Sequence, residues 1–202
     1  MPRPAKHDEA SILRAAAALV AAGGPGAATI GSIGHAIGAP NGSIYHRFRS
    51  RDELLGRLWL TKAAVFQDEW AAALDGADPV EAGLEAALSL PRVTRRDPEG
   101  ARIMLLHRRE DFESPTWSSE LRAEAERLGR QVSERLGEAT RRLFGRNTSS
   151  SHRITAFALL DLPYAAVRRH VAAHEAPPPV VDDLIAAAYH AVVKGRVRQA
   201  EA

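Results

Sequence analysis

Two clusters of helix-breaking residues, Gly23-Gly24-Pro25-Gly26 and Gly38-Ala39-Pro40, stand close together with only residues 27–37 between them. They cut the beginning of the chain into short pieces. Glycine frees the backbone, and proline removes the N–H that a continuing helix needs. Before the first cluster, Asp8 to Ala22 places Ile12, Leu13, Ala16, Leu19 and Val20 on one helical face. After it, Thr29 is an amino-terminal cap for a helix whose buried side carries Ile30, Ile33 and Ile37. That helix has room for only about two and a half turns before Gly38. A third short helix, Asn41 to Phe48, follows. Ser50-Arg51-Asp52-Glu53 then forms a capping-box pattern that opens a long helix through Leu54, Leu58, Ala63, Phe66 and Trp70 to about Leu74.

The rest of the chain reads as helix throughout, so the fold class is all-α. Helices are predicted near Val80 to Leu90, Pro98 to Arg109, Trp117 to Phe144, Ser151 to Ala173 and Val180 to Lys194. Their connections contain Pro91, Pro115, Gly145-Arg146-Asn147 and Pro177-Pro178-Pro179, and Pro163 should kink or interrupt the helix around it. With 45% hydrophobic and 26% charged residues in 202, the chain can bury a globular core. Its longest apolar run, Ala15 to Ala22, falls well short of the ~20 residues that span a bilayer. No apolar targeting segment follows the basic Met1 to Lys6, so a cytoplasmic protein without a membrane partner is expected. The absence of cysteine excludes disulfides, thiolate catalysis and cysteine-based metal sites.

Net charge is only +2, from 27 basic and 25 acidic residues, but its placement is informative. Asn41 to Arg51 contains Arg47, Arg49 and Arg51 and no acid, a footprint suited to a polyanion. Two short helices joined by a glycine-containing turn, beside such a patch, form the helix-turn-helix arrangement that offers its second helix to a DNA major groove. Ile33, Ile37, Ile44 and Phe48 are spaced to pack the pair together. That leaves Asn41, Gly42, Ser43, Tyr45, His46 and Arg47 outside. Asn41 offers paired donor and acceptor groups for adenine, Ser43 suits a base or a phosphate, and Gly42 lets backbone approach closely. Tyr45 and His46 suit phosphate oxygens. Ile44, Tyr45 and Phe48 also fit a plain core, and an arginine run also fits a solvated helix face.

The stretch Thr29-Ile30-Gly31-Ser32-Ile33, followed by Gly38-Ala39-Pro40-Asn41-Gly42-Ser43-Ile44-Tyr45-His46-Arg47-Phe48 and Ser50-Arg51-Asp52-Glu53-Leu54, resembles the TetR family of transcriptional regulators. The resemblance covers roughly Asp8 to Leu55. It implies that Thr29 caps its helix and touches phosphate, that Asn41, Gly42 and Ser43 face bases or backbone, and that Tyr45 and His46 grip phosphates. Arg51 stands where the family usually has lysine, a cation within reach of phosphate. Pro40 replaces the usual serine before the recognition helix, and Gly34 the usual alanine. The resemblance further implies a helix-turn-helix domain over 1–50 and a ligand-binding and dimerisation domain over 51–202. The partners it implies are pseudo-palindromic operator DNA, a second copy of the chain and a small-molecule effector, with repression relieved by that effector.

Small and apolar residues on the last two helices, among them Ala165, Ala166, Ile185, Tyr189 and Val193, suit a four-helix contact between two copies. Phe66, Trp70, His107, Trp117 and Tyr164 are candidates for an effector pocket, and each also suits core packing. His170 and His174, with Glu175 beside them, have the spacing of a helical metal pair, but the glutamate of the metalloprotease pattern is missing because Val171 holds its place. No metal, cofactor or catalytic residue is therefore expected, and the Gly-x-Ser-x-Gly elbow, phosphate loop and dinucleotide fingerprint are absent. The chain is expected not to be an enzyme. A protein-adaptor bundle is the competing class, and it predicts no salt-sensitive binding to duplex DNA.

Overall fold

The computed structural model describes residues 8–200, so the basic Met1 to Lys6 start lies outside the described residues. All regular structure among the described residues is helical. The order is α1 (Glu9–Gly23), α2 (Ile30–Ile37), α3 (Asn41–Tyr45), α4 (Arg51–Ala73), α5 (Pro79–Arg96), α6 (Pro98–Leu106), α7 (Ser119–Phe144), α8 (Ser149–Ala156), α9 (Leu162–Ala172) and α10 (Val180–Ala200). Single-turn segments at Pro25–Ala27 and Arg109–Asp111, and a π turn at Phe157–Asp161, complete the path.

The amino-terminal helices begin and end where local chemistry dictates. Asp8 caps α1 by accepting from the Ser11 backbone N–H at 2.8 Å, a hydrogen bond that holds its carboxyl below the usual carboxylate range. Thr29 caps α2 reciprocally with Ser32, whose backbone N–H donates to Thr29 Oγ1 at 3.0 Å while Ser32 Oγ accepts from the Thr29 N–H at 2.9 Å. Gly38 ends α2 in the left-handed conformation, φ +65°. Ser50 caps α4 by accepting from the Glu53 N–H at 3.0 Å. Glu53 returns its carboxylate to the Arg49 N–H instead of the Ser50 N–H, so the expected box closes one residue early.

Two prolines act differently from the sequence expectation. Pro91 does not end α5, which runs on to Arg96. One interior proline removes one backbone hydrogen bond, whereas the turn beyond it buries Val93 and Thr94. Arg95 then clamps that turn to α10 through a two-pronged pair with Asp182 and a 2.8 Å bond to the Pro177 carbonyl. Pro163 is accommodated without a break, because the widened turn before it lets the Leu162 N–H reach the Phe157 carbonyl. Pro163 thus directly follows the widened turn in a continuous helical run. The helix expected over Asn41 to Phe48 stops at Tyr45, and the one expected from Pro98 to Arg109 stops at Leu106.

Three apolar clusters hold the fold together. The first joins Ile12, Ala16, Val20, Ile33, Ile44 and Phe48 to Leu54, Leu55 and Leu58 of α4, and also takes in Ile103 of α6 and Phe112 beyond it. The largest lies in the carboxy-terminal bundle around Trp70, Ala87, Leu105, Leu159, Ile185 and Tyr189. The third packs Leu60 of α4 against Trp117, Leu121, Ala125 and Leu128. Helix α4 contributes to all three, so it is the shared spine of the molecule.

Candidate nucleic-acid interface and effector cavity

Burial of Ile33, Ile44 and Phe48 fixes which side of α3 faces out. Asn41 and Gly42 are exposed at its first turn, Ser43 is half-buried, and Tyr45 and His46 are exposed at its end, Tyr45 by 55%. Thr29 is exposed at the start of α2. Pro40 supplies no side-chain cap, and its carbonyl starts the recognition helix by accepting from the Ser43 N–H at 2.9 Å. Glycine at position 34 is required by contact: an added Cβ would stand 2.8 Å from the Ala39 carbonyl oxygen and 3.0 Å from Asn41 Oδ1. The Ala39 N–H also donates to the Gly34 carbonyl at 2.9 Å, so α2 and the turn before α3 touch through backbone.

Arg51 also has a structural role. Its partly exposed side chain donates from Nε to the Ala28 carbonyl at 2.8 Å and from a terminal nitrogen to the Pro25 carbonyl. The rigid guanidinium fork thus holds two loop carbonyls from separate nitrogens and ties α4 to the turn before α2. Arg47 leans back along α3, while Arg49 remains exposed.

In the carboxy-terminal bundle, two cavities share the wall formed by Gln67, Trp70 and Val132. The apolar one, of about 150 Å³, is bounded by Phe66, Leu90, Val93 and Leu160 with Ser89 among its lining residues. The polar one, of about 220 Å³, lies between α4 and α7 beside Asp68, Gln131, Glu134 and Arg135. Phe66 and Trp70 line this space, but the other three aromatic candidates do not.

His107 stands edge-on to Phe112 and lies against the Gly24 turn. Trp117 packs on Gly56 and donates from Nε1 to the Asp52 carbonyl at 3.1 Å. Tyr164 donates to the Leu105 carbonyl at 3.0 Å and accepts from Arg168 Nε at 3.1 Å. Gln67 was missed, although a glutamine one turn before Trp70 on an otherwise apolar stripe is a sequence signal for a polar group aimed inward.

Three of the residues anticipated for a contact between copies are turned inward. Ile185, Tyr189 and Val193 are wholly buried within a single chain, where Tyr189 donates to the Val80 carbonyl at 2.9 Å and burial pushes its phenol above the usual range. They cannot meet a second copy. Ala165 is exposed and Ala166 is half-buried. The outward side of α10 instead carries Val180, Leu184, Ala187 and Ala191, and Phe157 and Tyr164 are exposed on the preceding helical run. His170 and His174 do not share a helix face, because α9 ends at Ala172 and His174 adopts φ +63°.

Residues 12–58 match the family model described as "Bacterial regulatory proteins, tetR family". This amino-terminal segment, with the helix-turn-helix formed by α2 and α3, therefore carries the DNA-binding region of the TetR family. No curated protein matches it. Among solved structures, the TetR-family fold extends over almost the whole chain. FadR from Bacillus subtilis, described in complex with stearoyl-CoA, superposes with a TM-score of 0.70 at 15% identity, covering 93% of this chain and 99% of that one. A TetR-like regulator from Rhodococcus sp. RHA1 gives 0.70 at 16% identity, over 97% and 98%. AibR, described in complex with isovaleryl coenzyme A and operator DNA, gives 0.69 at 18% identity, over 92% and 97%. Among the described residues, no helix is long and apolar enough to cross a membrane.

Proposed function

We propose that this chain is a homodimeric TetR-family repressor that occupies a pseudo-palindromic operator in the cytoplasm and leaves it when a small molecule binds the carboxy-terminal bundle. The observation that carries this reading is α4. Its first two turns are core residues of the DNA-binding region through Leu54, Leu55 and Leu58, while its later turns line the cavities through Phe66, Gln67 and Trp70. A ligand that favours one position of α4 changes where the recognition helix sits, by an amount set by its preference between the two states. Residues 1–50 act as the reader and 51–202 as the sensor and dimerisation unit, and no catalytic step is required.

Within the reader, Asn41, Gly42 and Ser43 contact bases or nearby backbone, and Thr29, Tyr45 and His46 hold phosphates. A second route of coupling runs from the end of α6. Ile103 and Phe112 are buried in the amino-terminal cluster, and Ser114 and Thr116 donate to Asp52 Oδ2 at 2.7 and 3.1 Å. The FadR and AibR structures were described with coenzyme A thioesters, which supports a ligand-bound state for this fold. Exposed Val180 and Leu184 on α10, with Phe157 and Tyr164 before it, support a contact between two copies, which a pseudo-palindromic site needs.

The test is a reporter gene with the protein's selected operator placed within its promoter. Expression of the chain lowers the reporter, and sedimentation of the protein–duplex complex gives two chains per operator. A rise in the reporter contradicts repression, and one chain per operator contradicts the dimer.

A further inference from the structure

The shared cavity wall carries two polar atoms without partners. Trp70 is 7% exposed and its indole N–H finds no acceptor, while Gln67 Oε1 is buried beside it in sequence without a donor. Native interiors satisfy such groups, and an exception at the wall of a cavity marks a place where a ligand completes the hydrogen bonding. The indole asks for an acceptor and the glutamine oxygen for a donor.

Charge in the polar compartment adds a sign. Arg135 is engaged, since it pairs with Asp75 and with Glu138 and donates to the Ala71 carbonyl at 2.7 Å. Asp68 and Glu134 make no ion pair among the described residues. That compartment is thus left with uncompensated negative charge, and the compartment across the shared wall is apolar. A cation is drawn to such a site, and a polyphosphate is repelled.

Resting on the reading of this domain as a sensor, we propose that the cavity selects a compact apolar organic amine bearing a neighbouring hydrogen-bond acceptor. Its apolar body fills the apolar compartment against Phe66 and Val132. Its ammonium faces Asp68 and Glu134 and donates to Gln67 Oε1, and its acceptor receives the Trp70 N–H. This ligand is opposite in charge to the coenzyme A thioesters described for FadR and AibR. The apolar compartment's volume of about 150 Å³ also suits a single ring better than a long acyl chain.

The test is calorimetric titration of the full chain, without DNA, with four probes on one carbon skeleton: phenylalaninol, 3-phenylpropylamine, 3-phenylpropan-1-ol and 3-phenylpropanoate. Phenylalaninol is expected to bind at least about tenfold more tightly than 3-phenylpropanoate, a gap of the size one unshielded charge interaction supplies. Asp68→Asn with Glu134→Gln, both at exposed positions, should abolish that preference and leave 3-phenylpropan-1-ol unchanged. Trp70→Phe should erase the advantage of phenylalaninol over 3-phenylpropylamine. Equal or tighter binding of the carboxylate, an unaltered preference in the double variant, or no binding of any amine overturns the proposal. Operator affinity, measured separately, isolates the sensor reading. Amine binding that leaves DNA affinity unchanged upholds the ligand class and removes the effector role, whereas release by stearoyl-CoA alone upholds an effector role and overturns the amine.

Discussion

The ring of Trp117 lies directly against Gly56, so close that a Cβ added there would stand 2.5 Å from the indole, while the same indole donates to the Asp52 carbonyl one turn earlier on α4. One side chain from the segment before α7 thereby grips the first two turns of the helix that carries the DNA-binding core. Gly56→Ala forces the ring away, and overpacking of this kind costs about 1–3 kcal/mol. Trp117→Phe removes the N–H bond and part of the ring, at a cost of about 1 kcal/mol for the hydrogen bond alone. Denaturant unfolding at fixed protein concentration measures both losses. Stabilities equal to the parent would show that the contact is not a grip.

Gly34 makes a comparable demand inside the helix-turn-helix. In an unconstrained helix, Gly→Ala stabilises by about 0.5–1 kcal/mol. Here the new methyl meets the Ala39 carbonyl and Asn41. Gly34→Ala is therefore expected to destabilise the fold and to weaken specific DNA binding by displacing the start of α3. Urea unfolding and fluorescence anisotropy on a selected operator check the two effects, and a gain in stability would refute the close approach.

Arg51 distinguishes a structural cation from a phosphate contact. Each phosphate contact contributes about 0.9 to the slope of log affinity against log salt. Since Arg51 is tied to the Ala28 and Pro25 carbonyls, the uncharged Arg51→Gln should lower stability by about 1–3 kcal/mol and leave that slope unchanged. A slope shallower by nearly one unit would restore the direct phosphate role.

The outward face of α10 predicts the association state. Leu184 is 59% exposed in one chain and Ile185 is fully buried. Leu184→Glu should convert a dimer into folded monomers, as judged by sedimentation equilibrium and circular dichroism. Ile185→Ala should instead reduce stability by about 2–5 kcal/mol through a core cavity. Dimers that survive Leu184→Glu would place the contact elsewhere.

The amino-terminal fold was legible because its determinants are local. Gly23–Gly26, the Thr29 cap, Gly38 and Ser50 each act within a few residues, and the structure ends or starts a helix at each. By propensity, which is local too, Pro91 is a stop, while the Arg95 clamp that keeps the helix going reaches 87 residues along the chain. The carboxy-terminal aromatics resisted for the same reason. Trp70, His107, Trp117 and Tyr164 look alike as sequence, and only tertiary packing sends one to a cavity, one to the Gly24 turn, one onto Gly56 and one to the Leu105 carbonyl. On α10 a single position separates Leu184 outside from Ile185 inside, and helical periodicity alone does not say which stripe faces the core.

In the proposed complex Asn41, Gly42 and Ser43 read base sequence while Tyr45 and His46 hold backbone. Selection of random duplexes by the purified chain at two salt concentrations separates these roles, with Asn41→Ala and Tyr45→Phe run in parallel. The expected outcome is an enriched inverted repeat, a changed base preference for Asn41→Ala, and an unchanged repeat bound more weakly by Tyr45→Phe. No enrichment at either salt from folded protein, or a repeat identical for Asn41→Ala, would rule out base reading by the start of α3.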